Sequence, residues 1–457
     1  MDKQSKKIIS GAFVLGLAAF IAKVLGAVYR IPLTKIIGGT GLGLYQMVFP
    51  VYALLLDLSG AGVPNAIAKL VSSYNGVDKD IYARKILKIS IAFFSALGAL
   101  LSVLTAALST KIAAAQGNAD ARLAYVYLAP SVFLVCLICC FRGYFQGFMN
   151  MTHTAVSQVV EQSVKLVFGL LFANHFLPDI PKAVAGATLA ITVSEFVALS
   201  VLVITYALKC KKSGFSRINF GYKPFGELKR ILAYTAPIAL TVMILPLSKV
   251  IDSFLIINML TGVSENPTGL YGIFSGVCLT VVGLPVAVCY GISAVAVPAV
   301  ASETSRKNKN AAKTVLLTLA VSLPCAVVLA AGAPLIIKIL FGYLSETERA
   351  LSINLLRITS PCVVLLSLLQ TLNGILVGKG TPKKPMVGVA AGVTVKILIE
   401  VFTLKIPEIN IYGAGIAAIA CYFVADLVNL SMVFPIKFKR KANESLRVEF
   451  KRYADSQ

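Results

Sequence analysis

The chain has 457 residues, 57% of them hydrophobic and only 14% charged, with a mean hydropathy of +0.83. Soluble domains carry roughly a quarter charged residues, so an ordinary soluble enzyme is excluded. The net charge of +23 could suggest nucleic acid, but such readers concentrate charge on a folded face. Here it lies in short segments between apolar runs, which is the pattern of membrane topology.

A bilayer core takes about 20 apolar residues as a helix. In chain order, the candidate spans are 8–30, 42–63, 86–109, 122–146, 155–177 and 183–208, then 230–260, 269–299, 312–341, 351–377, 385–405 and 412–436. The start imitates a signal peptide, with Lys3, Lys6 and Lys7 before an apolar run. That run contains Lys23 and lacks an A-x-A site, so it reads as an uncleaved first span. One set of connections is poor in cations, holding Lys35, Lys111, Arg122, Lys182, Arg349 and Lys405; most of the other basic residues fall in the opposite set. The positive-inside rule then places both termini in the cytoplasm. The spans group into an N-lobe (1–208), a basic cytoplasmic linker (209–229, with Cys210) and a C-lobe with a basic tail (230–457).

The two halves repeat each other. Lys23 and Lys249 are 226 residues apart, and Gly43-Leu44-Tyr45 matches Gly269-Leu270-Tyr271 at the same offset. Arg142-Gly143 and Gly147 match Asn373-Gly374 and Gly378 at an offset of 231, as Val164-Lys165 matches Val395-Lys396. Gly186-Ala187 and Val197-Ala198 match Gly413-Ala414 and Val424-Ala425. Six spans per unit is an even number, so both copies share one orientation. The expected fold is all-α: two six-helix lobes related by an axis along the membrane normal, with the site between them.

Charged residues inside spans cost at least about 2.5–3.5 kcal/mol each if they face lipid. Lys23, Lys165, Lys249 and Lys396 lie deep, as do Asp57, Glu161, Glu195, Asp252, Glu400 and Asp426; Arg30 and Arg357 lie nearer span ends. They must face one another or a wet cavity. Glu161/Lys165 and Lys396/Glu400 are spaced i,i+4 and Lys249/Asp252 i,i+3, so each pair shares a helix face and can neutralise itself. Lys23 has no acid within four residues. It is therefore expected, with Arg30, to carry most anion binding, while the second-half lysines are partly neutralised. Lysine suits phosphate as a compact point charge. The acids are candidates for ion coupling or for pairing. No metal site is expected: Cys136, Cys139 and Cys140 lie mid-span as small hydrophobes, and the only histidines are His153 and His175. Prolines such as Pro32, Pro50, Pro237, Pro285 and Pro361 predict bent helices.

The run Ala22-Lys23-Val24-Leu25-Gly26, Tyr29-Arg30, Gly41 to Met47, Phe49-Pro50-Val51-Tyr52 and Gly62 to Val71 resembles the stage V sporulation protein B family. Arg142 to Gly147 and Ser157 to Gln162 match it as well. That family belongs to the multidrug/oligosaccharidyl-lipid/polysaccharide exporter superfamily. The resemblance implies two six-helix bundles around a central cavity and export of lipid-linked oligosaccharides, with lipid II the leading cargo. The best-studied flippase branch usually adds two C-terminal helices, and arginines near the positions of Leu54 or Leu55 and of Thr280, which this chain lacks.

The resulting expectation is a non-enzymatic, monomeric flippase of undecaprenyl-diphosphate-linked sugars in a bacterial cytoplasmic membrane. Lys23, Arg30, Lys165, Lys249 and Lys396 would line its cavity. No cofactor is expected, with Na+, H+ or the membrane potential as drive. A cation-coupled multidrug exporter of the same superfamily is the alternative; embedded acids favour it and deep lysines oppose it. A glycan polymerase or ligase would need a sizeable outer loop with catalytic groups, and the outer loops here are short and nearly bare.

Overall fold

A computed structural model of the chain describes residues 3–74, 79–213, 224–301, 309–381 and 383–434, without the side chains of 3–13, 19, 23, 210–213, 224, 241, 293–299 and 301, Lys23 and Cys210 among them. Most of the basic linker and the basic tail lie outside the described residues.

The first element, α1 (Lys3–Gly60), is two spans joined at Gly38, whose φ of 66° and ψ of −174° break the helix. Glycine reaches that region without steric cost. Tyr29 and Tyr45 would stand about 24 Å apart on a straight helix at 1.5 Å per residue, yet their ring centroids are 6.5 Å apart. The second arm therefore folds back along the first.

The chain continues as α2 (Val63–Ser73), α3 (Lys79–Ala115), α4 (Arg122–Gly147), α5 (Met151–His175) and α6 (Ile180–Ser213). The second half holds α7 (Pro224–Val242), α8 (Ile244–Leu260), α9 (Pro267–Tyr271), a π-helical turn at Gly272–Cys278 and α10 (Leu279–Ala301). It ends with α11 (Lys309–Phe341), α12 (Glu346–Thr359), α13 (Cys362–Gly378), α14 (Lys384–Thr403) and α15 (Tyr412–Val433). Two spans are broken: α7 and α8 meet at 47°, and α12 and α13 at 44°. Pro361 sits at the second break and Pro246 in the first turn after the first, where the missing N–H weakens the ladder. With α1 counted as two arms and each bent pair as one span, the described residues form twelve spans in two lobes, as expected.

The helix α2 lies between the spans expected at 42–63 and 86–109. It packs on α4 because Gly143 and Gly147 leave room: a Cβ on either would come within 2.8 Å of Ile67 Cβ or 2.6 Å of Val71 Cβ. The Arg142-Gly143 and Gly147 pattern thus has a packing cause.

Alternate spans end on two faces. One carries the start of α1 and the end of α15; the other carries the Gly38 reversal and the α3–α4 and α8–α9 connections. On this far face the lobes are locked together. Asn118 Nδ2 donates to Thr268 Oγ1 at 3.0 Å, Asn266 Nδ2 to Thr40 Oγ1 at 2.8 Å, and Asn258 Nδ2 to the Ala115 carbonyl at 2.9 Å. Deeper, Gln116 Nε2 donates to Ser253 Oγ at 2.8 Å and Gln46 Nε2 to Ser275 Oγ at 3.0 Å. Gly43 and Gly272 permit this approach: a Cβ on Gly43 would overlap the Thr268 carbonyl oxygen, and one on Gly272 the Gly39 carbonyl oxygen. On the terminal face, α7 leans on the N-lobe, with Tyr82 donating to Glu227 Oε2 at 3.2 Å and Lys69 Nζ 4.0 Å from the Tyr234 ring.

Candidate functional site: a cationic cavity between the lobes

Sealed above by the far-face contacts, the lobes enclose a cavity of about 890 Å³. Its N-lobe wall comes from Phe20, Ala22, Val24, Gly26, Ala27, Tyr29, Arg30, Tyr45 and Phe49 of α1 and from Gln162 and Lys165 of α5. Its C-lobe wall comes from Lys249 of α8, residues 279–288 of α10, and Cys362, Leu366, Gln370 and Tyr422. Much of the α10 wall is apolar. The charged lining side chains among the described residues are Arg30, Lys165 and Lys249, and no carboxylate joins them.

Arg30 is held from both lobes: Nη1 donates to Thr280 Oγ1 of the C-lobe at 2.8 Å, and its guanidinium carbon lies 5.5 Å from the ring centroid of Phe49 in its own lobe. Both contacts fix a long side chain without neutralising it. Lys165 and Lys249 form no ion pair with any described residue. Unpaired ammonium groups at this depth require water or an anion as partner.

Two pairings expected from spacing are corrected. Glu161 does not pair with Lys165. Its Oε2 accepts from Arg142 Nη2 at 2.8 Å and its Oε1 from Gln162 Nε2 at 2.9 Å, while Arg142 Nε donates to Ser157 Oγ at 3.0 Å. A bidentate-capable guanidinium on the neighbouring helix outcompetes a lysine one turn away. Asp252 does not pair with Lys249 either. It accepts from Lys396 of α14, whose Nζ also lies 4.0 Å from Glu400 Oε1. Lys396, Asp252 and Glu400 are 7%, 5% and 0% exposed, and Lys396 is absent from the cavity wall. The matched lysines of the repeat therefore differ: Lys165 opens on the cavity, whereas Lys396 is buried as a counter-charge.

Of the other sequence candidates, Lys23 sits in α1, but its side chain lies outside the described residues. Asp57 is half-buried on the second arm of α1. Asp426 of α15 is buried, with neither carboxylate oxygen hydrogen-bonded. Sequence reasoning missed Thr280 and Phe49 as holders of Arg30, and Gln162, Gln370 and Tyr422 as polar lining groups. It also missed the bond from the Tyr52 hydroxyl to Glu195 Oε1, 2.7 Å long.

This architecture, with its inter-lobe cavity, defines a multi-pass membrane transporter of the multidrug/oligosaccharidyl-lipid/polysaccharide exporter fold. A solved inward-facing multidrug resistance transporter of that superfamily superposes with a TM-score of 0.74 at 16% identity, covering 90% of this chain and 94% of its own. The lipid II flippase MurJ in an inward closed conformation gives 0.73 at 14% identity, covering 92% and 87%. The chain belongs to the family described as polysaccharide biosynthesis protein, which it matches over residues 8–302. A second match, to the MatE family, covers residues 237–402. Among relatives, the lipid II flippase MurJ of Bacillus subtilis (strain 168) is 30% identical over 480 residues, 98% of this chain and 85% of its own. Stage V sporulation protein B of the same organism is 27% identical over 463 residues, 96% and 86%.

Proposed function

We propose that the chain is a flippase that exports undecaprenyl-diphosphate-linked sugars, lipid II or a polysaccharide precursor, across the bacterial cytoplasmic membrane by alternating access. The observation that carries this reading is the cavity lined by Arg30, Lys165 and Lys249 with no acid among its described lining residues. A diphosphate brings about two negative charges, which the three cations match in a site of reduced dielectric. The apolar wall of α10 accepts the start of a prenyl chain. The likeness to lipid II flippases supports the same cargo class.

The far face is the outer side and both termini are cytoplasmic, because the cation-rich connections lie on the terminal face. Sealed on the far face, the cavity then receives cargo from the inner leaflet. Outward movement of two negative charges from a negative interior gains about 2.3 kcal/mol per charge per 100 mV, so the membrane potential favours export; Na+ or H+ coupling is a further source. The chain acts as a monomer and a transporter, takes no nucleic acid and catalyses no bond change. Three unpaired cations disfavour the alternative cargo, cationic drugs, through like-charge repulsion.

Purified protein in liposomes, assayed with a fluorescent undecaprenyl-diphosphate-linked saccharide, tests this reading. The wild type should flip the lipid, and Lys165→Gln or Lys249→Gln should slow it about tenfold or more, as expected for losing a charge-assisted bond. No flipping of any lipid-linked saccharide, with efflux of a cationic dye instead, would transfer the cavity to the multidrug reading.

A further inference from the structure

The repeat poses a question that the cavity alone does not answer: why one of two matched lysines stays free. Lys165 and Lys396 are equivalent at an offset of 231. In the C-lobe, Asp252 and Glu400 take up Lys396. By the same offsets, 226 and 231, their N-lobe counterparts are Gly26 and Gly169. Neither can carry a charge, and the space beside Gly169 is filled by Tyr29, whose Cε2 would lie 2.7 Å from a Cβ there.

One acid nevertheless remains able to quench Lys165. Glu161 lies one turn before it on α5, at the i,i+4 spacing that favours a Glu–Lys pair. Arg142 occupies it. With Arg142 Nη2 on Oε2 and Gln162 Nε2 on Oε1, both oxygens of Glu161 are engaged away from Lys165. Ser157 Oγ anchors the guanidinium through Nε. The other acid of this region, Glu195, holds the Tyr52 hydroxyl. The C-lobe counterparts of Arg142 and Glu161 are Asn373 and Gly392, so this device exists only in the lobe whose lysine faces the cavity.

We propose that Arg142 is a positioning residue for anion recognition: by holding Glu161, it keeps the Lys165 ammonium available to the diphosphate. Arg142 does not line the cavity and acts only through Glu161. The proposal rests on the cavity reading above.

The test is binding of radiolabelled undecaprenyl diphosphate to the full-length protein in nanodiscs, with folding checked by thermal unfolding. Lys165→Gln should bind about tenfold more weakly or worse, the loss expected for one charge-assisted bond. Arg142→Gln should match that loss, because the released Glu161 turns to Lys165. Arg142→Lys, which keeps a cation on Glu161, and the double variant Arg142→Gln/Glu161→Gln should both return to within about threefold of wild type, a residual well under one such bond. A purely structural role for Arg142 would leave the double variant as weak as the single one. Normal binding by Lys165→Gln would instead overturn the cavity reading itself. Impaired Lys165→Gln beside normal Arg142→Gln, or failed rescue, would overturn this proposal alone.

Should Arg142→Gln not fold, Gly26→Asp asks the same question from α1. A Cβ there meets only Gln162 Oε1, at 3.6 Å, and the new acid stands where Asp252 stands towards Lys396. Gly26 lines the cavity, so quenching is separated from direct repulsion by adding Lys165→Gln. Weak binding by Gly26→Asp, normal binding by Gly26→Asn and no further loss in Gly26→Asp/Lys165→Gln beyond Lys165→Gln support the proposal; normal binding by Gly26→Asp, or losses that add, overturn it.

Discussion

Replacing Lys396 by alanine separates the two roles that the repeat gives its lysines. Its ammonium is the only cation within 4.0 Å of Asp252 and Glu400 among the described residues. Both acids are nearly or fully buried, and neither Glu400 oxygen nor Asp252 Oδ1 has a hydrogen-bond partner. Removing one partner of a buried ion pair costs about 3–5 kcal/mol, because the remaining charge is left without compensation. Lys249→Ala removes a side chain that opens on the cavity and pairs with nothing described, so its stability cost should stay below about 1 kcal/mol, as for other sites outside buried networks. Thermal unfolding in detergent should therefore show a large loss for Lys396→Ala and a small one for Lys249→Ala. Adding Asp252→Asn to Lys396→Ala should recover part of that loss, because one stranded charge disappears. Flipping should show the reverse order per folded molecule, with Lys249→Ala the more impaired. Equal stability losses, or no recovery in the double variant, would refute the assignment of Lys396 as a structural counter-charge.

Gly43→Val should block the far-face seal, since even a Cβ there overlaps the Thr268 carbonyl oxygen; a cysteine reporter at Asn266 should become more reactive from outside, and unchanged reactivity would argue against the seal. Gly147→Leu should push α2 off α4 and destabilise by about 1–3 kcal/mol, the usual cost of overpacking, read by thermal unfolding. Tyr52→Phe leaves buried Glu195 without its bond from Tyr52 and should cost about 1–3 kcal/mol in the same assay. Membrane-impermeant thiol reagents applied to intact cells should spare Cys210, because the proposed topology puts the basic linker in the cytoplasm; labelling from outside would reverse the topology.

What the sequence revealed and what it concealed divide along one physical line. Spans, breaks and the repeat depend on local composition or on order along the chain. The apolar runs, Pro361 at a bend and the collinear glycines are all of this kind. Pairing depends on which helix lies against which. The i,i+4 rule shows that Glu161 could reach Lys165, but it carries no information about Arg142 on the adjacent helix, whose planar donors win. The same blindness assigned Asp252 to Lys249, three residues away, rather than to Lys396, 144 residues away. One signal could have exposed this. Aligning the halves sets Gly26 and Gly169 against Asp252 and Glu400, which already shows that one lysine of the matched pair has acids to meet and the other does not. The bend that makes α2 a separate helix was hidden for a different reason: Pro64, Asn65 and Lys69 resemble a loop until α4 supplies the glycine groove that receives it.

The central claim is that three cations at the lobe interface receive the diphosphate of a lipid-linked sugar. A structure of the full-length protein with bound undecaprenyl-diphosphate saccharide tests it most directly. The account predicts phosphate oxygens within hydrogen-bond distance of Arg30, Lys165 and Lys249, with the Arg142–Glu161 pair intact behind them. A head group bound outside the cavity, or one in the cavity with Lys165 turned to Glu161, would contradict it.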